Sequence, residues 1–368
     1  MKKKIILISV FLVAVYFITR LYNILLMPLF TDEAIYIRWS QIARYDAAWR
    51  FISLTDGKQP SFVWLTMIVM RLVDNPLLAG RLVSVGAGFI TMIGLFFLGR
   101  EIFKNKTIGL ISSFLYLIFP MALVYDRMAL YDSLVGTFAV WSLYLEILLV
   151  RHLRLDLALI LGMVMGAGLL TKSSGLFNLY LLPFSLFLFN FKEENRLSRL
   201  IKWVILAGVA VLEAFAYSSI LRLSPFFHII AEKNGIFLYS VKELIYYHFE
   251  FSYGNLLGLW DWAHIYLTWP VIFLIIFSFL FSFKFAKEKI LLFLWFVLPF
   301  IALAVFGKVL YPRFIFFMLL SLLPLTAFSL YQLSGVVKNR LILILCYLLF
   351  LLVSFKIDFL ILTNPAVA

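Results

Sequence analysis

The sequence predicts an all-α, polytopic membrane protein, and three observations carry that prediction. Of 368 residues, 64% are apolar, against roughly 45–50% in a typical soluble domain. No single globular core can hide that excess. Charged residues make up only 14%, and mean hydropathy is +1.03. Apolar runs near the roughly 20 residues that one helical crossing needs recur along the chain. Disordered, collagenous and disulfide-rich secreted classes are excluded. At that crossing length the chain has room for about eleven transmembrane helices and a few loops, with short interfacial or re-entrant helices between them. Any chemistry must then sit in the loops of one domain spanning 1–368.

Met1 to Lys4 followed by an apolar run from Ile5 to about Phe30 has the basic start and hydrophobic stretch of a secretory signal. The run is too long and lacks a small-residue cleavage site, so it reads as an uncleaved first helix. Further apolar runs lie at about 77–98, 107–124, 134–150, 157–170, 175–191, 201–221, 265–283, 290–306, 314–333 and 341–356. Ser61 to Val73 is apolar but too short to cross, and reads as a short or re-entrant helix stopped by Asn75-Pro76. Two longer outer segments remain, about 29–60 and 222–264, with short outer turns near 125–133, 171–174 and 307–313. No internal repeat of the kind common in transporters is evident.

A net charge of +13 would suggest nucleic acid as a partner of a soluble protein. In a membrane protein it reflects the Lys and Arg of cytoplasmic loops, and no nucleic-acid partner is expected. Placing the N-terminus inside makes the clusters Arg100/Lys104/Lys106, Arg151/Arg154, Lys192/Arg196/Arg199/Lys202, Lys284/Lys287/Lys289 and Lys338/Arg340 cytoplasmic. Cys346 is the only cysteine, so no disulfide within the chain is available and the redox compartment is unread. His152, His228, His248 and His264 lack metal-ligand spacing. Trp260, Trp262 and Trp269 read as an aromatic belt.

The unusual polar residues fall in the outer turns. Thr31-Asp32-Glu33 opens a run with Ile35, Trp39 and Ile42 at helical spacing, an interfacial helix. Thr31 as its cap and two acids at the positive end of its dipole would explain the carboxylates structurally. Thr55-Asp56-Gly57-Lys58-Gln59-Pro60 is a turn before the short helix, and an Asp-Gly turn with a proline at a helix start accounts for most of it. Tyr125-Asp126-Arg127 to Asp132 packs three charges between apolar helices; if the turn continues the helices, Arg127 and Asp132 both face inward. Lys172 and the stretch Lys308, Tyr311, Pro312, Arg313 put cations at the same face, where each alone could simply snorkel to the interface. Arg20 and Glu213 lie within crossings, as a structural pair or as pathway residues.

The order of these elements resembles the GT-C glycosyltransferases, nearest the protein O-mannosyltransferase and lipid A aminoarabinose transferase group that uses polyprenyl-phosphate sugars. Asp-Glu after the first helix, a Lys-x-Pro element, Arg-x-x-x-x-Asp, Thr-Lys-Ser and Tyr-Pro-Arg follow one another on one membrane face. The resemblance implies Asp32 as catalytic carboxylate with Glu33 as its supporting partner. It implies Lys58, Arg127, Lys172, Lys308, Tyr311 and Arg313 as the carrier-phosphate set, and Asp32, Asp56 or Asp132 as holders of a divalent metal ion in members that use one. Phe314 stands where many relatives carry tyrosine, and Gln59 is not the usual Pro or Lys. Relatives commonly continue beyond the last helix, so the chain is expected to be a minimal or truncated member without a C-terminal soluble domain. The implied reaction is inverting transfer of a sugar from a polyprenyl-phosphate donor to a lipid, glycan or protein acceptor in the bilayer, on the extracytoplasmic face of the cell (inner) membrane. A polytopic transporter or lipid flippase is the alternative.

Overall fold

The computed structural model of the chain describes residues 2–247, 250–280, 283–336, 359, 362 and 363. All regular structure among them is helical; one isolated antiparallel bridge joins Leu238 to Gly307. Helix α1 (Lys2–Leu21) is followed by α2 (Thr31–Tyr45), which lies within the segment 29–60, and by α3 (Ser61–Val69) directly after that segment. The hairpin α4 (Pro76–Phe103) and α5 (Lys106–Leu117) leads through α6 (Pro120–Tyr125) to α7 (Asp132–His152), α8 (Leu155–Leu169), α9 (Leu176–Leu181) and α10 (Arg196–Ser218). The second outer segment holds α11 (Ile229–Phe237), α12 (Val241–Tyr246) and most of α13 (Glu250–Leu267). Then come α14 (Trp269–Leu280), α15 (Ala286–Phe306), α16 (Phe316–Leu319) and α17 (Leu323–Val336).

Five helical stretches are long and apolar enough to cross a bilayer: Pro76–Phe103, Asp132–His152, Arg196–Leu223, Ala286–Phe306 and Pro312–Gly335. The pair α13–α14, bent by 97°, would be a sixth. Ile5–Leu21, Lys106–Leu117, Leu155–Leu169 and Ser173–Leu188 are apolar but shorter. The expected run at 341–356, with Cys346, lies outside the described residues.

Three boundaries differ from the sequence reading for identifiable reasons. The first helix stops at Leu21 and does not reach Phe30, because Asn23 takes a left-handed φ of 50°. The run at 107–124 is split ahead of Pro120, whose ring forbids a helical Phe119 and whose nitrogen has no proton to donate. The run at 265–283 belongs to two helices, broken where Thr268 has a φ of 66°.

Breaking helices inside an apolar bundle exposes backbone carbonyls where no water can satisfy them. Three fully buried arginines solve this. Arg20 donates to Leu117 O at 2.7 Å, Arg81 to Ile24 O at 2.5 Å and Met27 O at 3.1 Å, and Arg127 to Tyr22 O at 2.8 Å. Arg20 also meets buried Asp126, Nε to Oδ2 3.5 Å, which answers the question the sequence left about its partner. Asp126 accepts from Tyr16 Oη at 3.1 Å, Tyr116 Oη at 2.9 Å and Ser133 Oγ at 2.9 Å. At the opposite end of the bundle Arg151 of α7 joins Glu101 of α4 at 2.6 Å and Glu288 of α15 at 3.6 Å.

Asp126 fits only because position 88 is glycine: a Cβ there would lie 2.3 Å from the carboxyl atoms. Gly88→Ala is therefore expected to push Asp126 off its hydroxyl partners and destabilise the protein by about 1–3 kcal/mol, the usual cost of overpacking. A thermal unfolding midpoint in detergent equal to that of the wild type would contradict this.

Candidate active site

Adjacent residues on an α-helix point about 100° apart, so Asp32 and Glu33 in the first turn of α2 cannot face the same way. Glu33 turns into the interior and is fully buried. Its Oε1 accepts from Arg81 Nε at 2.9 Å and Ala129 N at 2.6 Å, and its Oε2 from Arg81 Nη2 at 2.9 Å and Phe30 N at 3.1 Å. Glu33, not Thr31, thus caps the helix, and it ties α2 to α4 and to the 126–131 turn. It is a positioning residue for its neighbour.

Asp32 faces away from the interior, its side chain 18% exposed. Oδ2 accepts from Arg313 Nη1 at 2.6 Å and, more loosely, from Tyr36 Oη at 3.3 Å. Tyr36 Oη in turn accepts from Lys58 Nζ at 2.8 Å. Lys58 lies 4.0 Å from Asp32 Oδ1 and 3.7 Å from Asp56 Oδ2. Asp56 ends a short 3₁₀ turn, Ile52–Asp56, and Gly57 follows with a φ of 66°. Asp132 at the start of α7 accepts from Lys172 Nζ at 3.0 Å, and that ammonium sits 4.7 Å from the centre of the Phe314 ring. The Phe314 ring is thus a cation–π seat for Lys172. The 58–61 and 171–173 turns are pinned together by Gln59 Nε2 to Ser173 Oγ at 2.9 Å and by Ser61 Oγ and Thr171 Oγ1 at 2.8 Å. The Arg313 guanidinium leans on Tyr311, 5.3 Å from the ring centre, and its Nε is buried with no hydrogen-bond partner among the described residues.

Burial raises the Asp32 carboxyl, but Arg313 and Lys58 outweigh it and hold the group below the ordinary aspartate range. Burial lowers the Lys58 ammonium below the ordinary lysine range, against the opposing pull of Asp32 and Asp56. The Tyr36 phenol, pushed far above its ordinary range mainly by burial, remains a proton donor to Asp32.

Asp32, Asp56, Asp132, Lys58, Lys172, Tyr311 and Arg313 therefore lie in one charged cluster, built from five stretches of the chain. Two expected members have other partners. Residues 126–131 do not continue either helix, so Arg127 turns to the end of α1 while Asp132 pairs with Lys172. Lys308 bonds Glu243 Oε1 at 2.6 Å and Gly235 O at 3.2 Å and holds the second outer segment down. The sequence reading missed Tyr36, Lys233 and Arg81. Tyr36 was findable, four residues from Asp32 on one helix face, and Arg81 as a charge inside an apolar run. Lys233 carries no such signal; it reaches Asp56 Oδ1 at 2.5 Å from 177 residues away.

The residues present do not fit a resident divalent ion. No group of three His, Cys, Asp or Glu side chains converges among the described residues. Asp32 and Asp56 face one ammonium, Lys58, which takes the place a cation between them would need.

Residues 57–218 match the family model described as dolichyl-phosphate-mannose-protein mannosyltransferase. Comparison with curated protein sequences gives no match. In fold the chain is similar to ArnT from Cupriavidus metallidurans in the apo state, at 16% identity and a TM-score of 0.61 over 90% of this chain and 60% of that one. It is similar to the same protein bound to undecaprenyl phosphate, at 17% identity and a TM-score of 0.59 over 90% and 61%. It is also similar to the archaeal oligosaccharyltransferase AglB from Archaeoglobus fulgidus in complex with an inhibitory peptide and a dolichol-phosphate, at 14% identity and a TM-score of 0.61 over 98% and 55%. At these identities the likeness establishes the fold, a GT-C fold, and the chain spans about three fifths of the length of ArnT.

The Glu33–Arg81 pair is open to a double-mutant cycle. Arg81→Met alone leaves a carboxylate buried without its partner and is expected to cost about 3–5 kcal/mol. Arg81→Met with Glu33→Leu is expected to cost clearly less than the sum of the single changes, read by unfolding in detergent. Additive losses would mean that the two do not act as a pair.

Proposed function

We propose that the protein is a membrane glycosyltransferase that moves a sugar from a polyprenyl-phosphate donor to a lipid, glycan or protein acceptor. One observation carries the reading most directly: an ionised Asp32 and the cations Lys58, Lys172 and Arg313 share one charged cluster at one end of an apolar helical bundle. A donor with its tail in lipid would bring its phosphate to that end. ArnT bound to undecaprenyl phosphate and AglB in complex with a dolichol-phosphate have the same fold, and the matched family model is named for a dolichyl-phosphate-mannose enzyme. Excess Lys and Arg in the loops of the opposite end argue for a cytoplasmic N-terminus and an extracytoplasmic cluster, in a prokaryote on the outer face of the inner membrane.

In the proposed reaction an acceptor hydroxyl or amine attacks the anomeric carbon and its proton passes to Asp32. The bond from that carbon to the carrier phosphate oxygen breaks, its electron pair leaving with the phosphate, so configuration inverts. Charge accumulates on the leaving phosphate in the transition state, where fixed cations are most effective. Among the described residues Arg313 keeps an unspent Nε, and Lys58 has one hydrogen bond shorter than 3.5 Å, to Tyr36. Arg313 is also the neighbour that most strongly lowers the Asp32 carboxyl. Once the phosphate draws Arg313 away, Asp32 gains basicity at the step where a base is needed.

Asp32→Asn is expected to lower transfer about 10²–10⁴-fold, the usual worth of a placed general base, with the thermal midpoint little changed. The assay is transfer from a panel of radiolabelled polyprenyl-phosphate sugars by purified protein in lipid; a fully active variant would remove Asp32 from the chemistry. The pH dependence of kcat/KM follows from the two shifts. Asp32, lowered, stays ionised down to below the ordinary value of about 3.9, so the acid limb lies below that pH. Lys58, also lowered, sheds its charge below the ordinary value of about 10.4, so activity falls off earlier on the alkaline side than an exposed lysine would give.

A further inference from the structure

We propose that Lys233, on α11 of the second outer segment, is a positioning residue that keeps Lys58 available for the carrier phosphate by neutralising Asp56. The inference rests on the transfer reading given above for what Lys58 binds, but not for how Lys233 acts on it.

The packing brings Lys233 to Asp56 by the backbone and not by a long flexible reach. A Cβ at position 57 would lie 2.5 Å from Lys233 Cβ and 2.7 Å from Ile229 O. Gly57 therefore lets α11 settle directly on the turn that carries Asp56 and Lys58. Leu54, Phe51, Phe226 and Ile230 pack together beside it, and Trp49 stacks on Phe226 at 6.4 Å. α11 is thus seated beside the cluster by apolar contacts that survive loss of one amine.

The distances show how Asp56 is shared. Lys233 Nζ lies 2.5 Å from Asp56 Oδ1, whereas Lys58 Nζ stays 3.7 Å from Oδ2, outside hydrogen-bond reach. Asp56 is satisfied by Lys233, and among the described residues Lys58 keeps two of its three N–H groups for another acceptor. Without Lys233, the nearest cation left to Asp56 is Lys58, which then closes on it and turns from the rest of the cluster. The charge balance points the same way. Asp32, Asp56 and Asp132 against Lys58, Lys172, Lys233 and Arg313 leave one positive unit, which matches the single negative charge of a phosphodiester donor. Removing Lys233 cancels it; removing Asp56 as well restores it. The Lys58 ammonium is lowered in part by Lys233 itself, after burial.

The test uses the full chain in lipid nanodiscs and four proteins: wild type, Lys233→Met, Lys233→Arg, and Lys233→Met with Asp56→Asn. The first readout is the rate at which trinitrobenzenesulfonate modifies Lys58, followed by peptide mass spectrometry, with no ligand present. Lys233→Met is expected to slow it several-fold, because loss of the neighbouring cation and closer approach to Asp56 both favour the protonated, unreactive amine. Lys233→Arg and the double variant are expected to label near the wild-type rate. The second readout is affinity for undecaprenyl phosphate, expected to fall in Lys233→Met and to return in the double variant. A residue that merely held α11 in place would give a double variant no better than Lys233→Met, and that result, or unchanged Lys58 labelling in Lys233→Met, overturns the inference. The labelling pattern with no undecaprenyl phosphate binding by the wild type would instead uphold the action of Lys233 on Lys58 and refute the carrier reading of the cluster.

Discussion

An ion pair in an apolar interior is tolerated only if its polar atoms are hydrogen-bonded, and the Glu33–Arg81 pair meets that demand with seven hydrogen bonds: two between the pair, two from Phe30 N and Ala129 N to Glu33, and three from Arg81 to Ile24 O, Met27 O and Pro28 O. The beginning of α2 is therefore locked to α4, to the end of the α1 connection and to the turn before α7. Asp32 is one residue away on the same helical turn. Its place, and so the reach of Arg313 and Tyr36 to it, depends on a charge pair buried behind it.

The same economy runs through the interior. A bundle of short and broken helices leaves carbonyls that lipid cannot satisfy, and Arg20, Arg81 and Arg127 supply the missing donors at the ends of α1 and α5. Those breaks are what let the chain place α2, α3 and the 52–60 turn at one end of the bundle. Irregular backbone at membrane depth and a polar cluster at its mouth are two sides of one construction, because rigid full-length helices would leave no room to fold a site between them.

Within the cluster, opposite charges are paired loosely enough to be re-paired. The Arg313–Asp32 and Lys172–Asp132 bonds are direct, while Lys58 sits beyond hydrogen-bond reach of both its carboxylates. In the transfer reading an entering phosphate exchanges partners with these carboxylates and never meets an empty positive pocket. That keeps the resting site close to neutral and places the strongest electrostatic gain where the leaving group develops charge.

Composition and hydropathy alone determined that the chain is a helical membrane protein, since apolar excess and run length follow directly from the bilayer as solvent. Spacing also exposed the polar turns, because Asp32, Asp56, Lys58, Asp132, Lys172 and Arg313 each stand out against apolar neighbours. Pairing was another matter. Whether Arg127 meets Asp132 or a helix end, whether Lys308 joins the cluster or pins a loop, and that Lys233 reaches Asp56 are decided by which elements lie side by side. Charge attraction acts through space and is indifferent to sequence order, so a lysine 177 residues away can be the nearest cation. Local pattern sets which residues are polar at the membrane surface; only the packing of the bundle sets which of them touch.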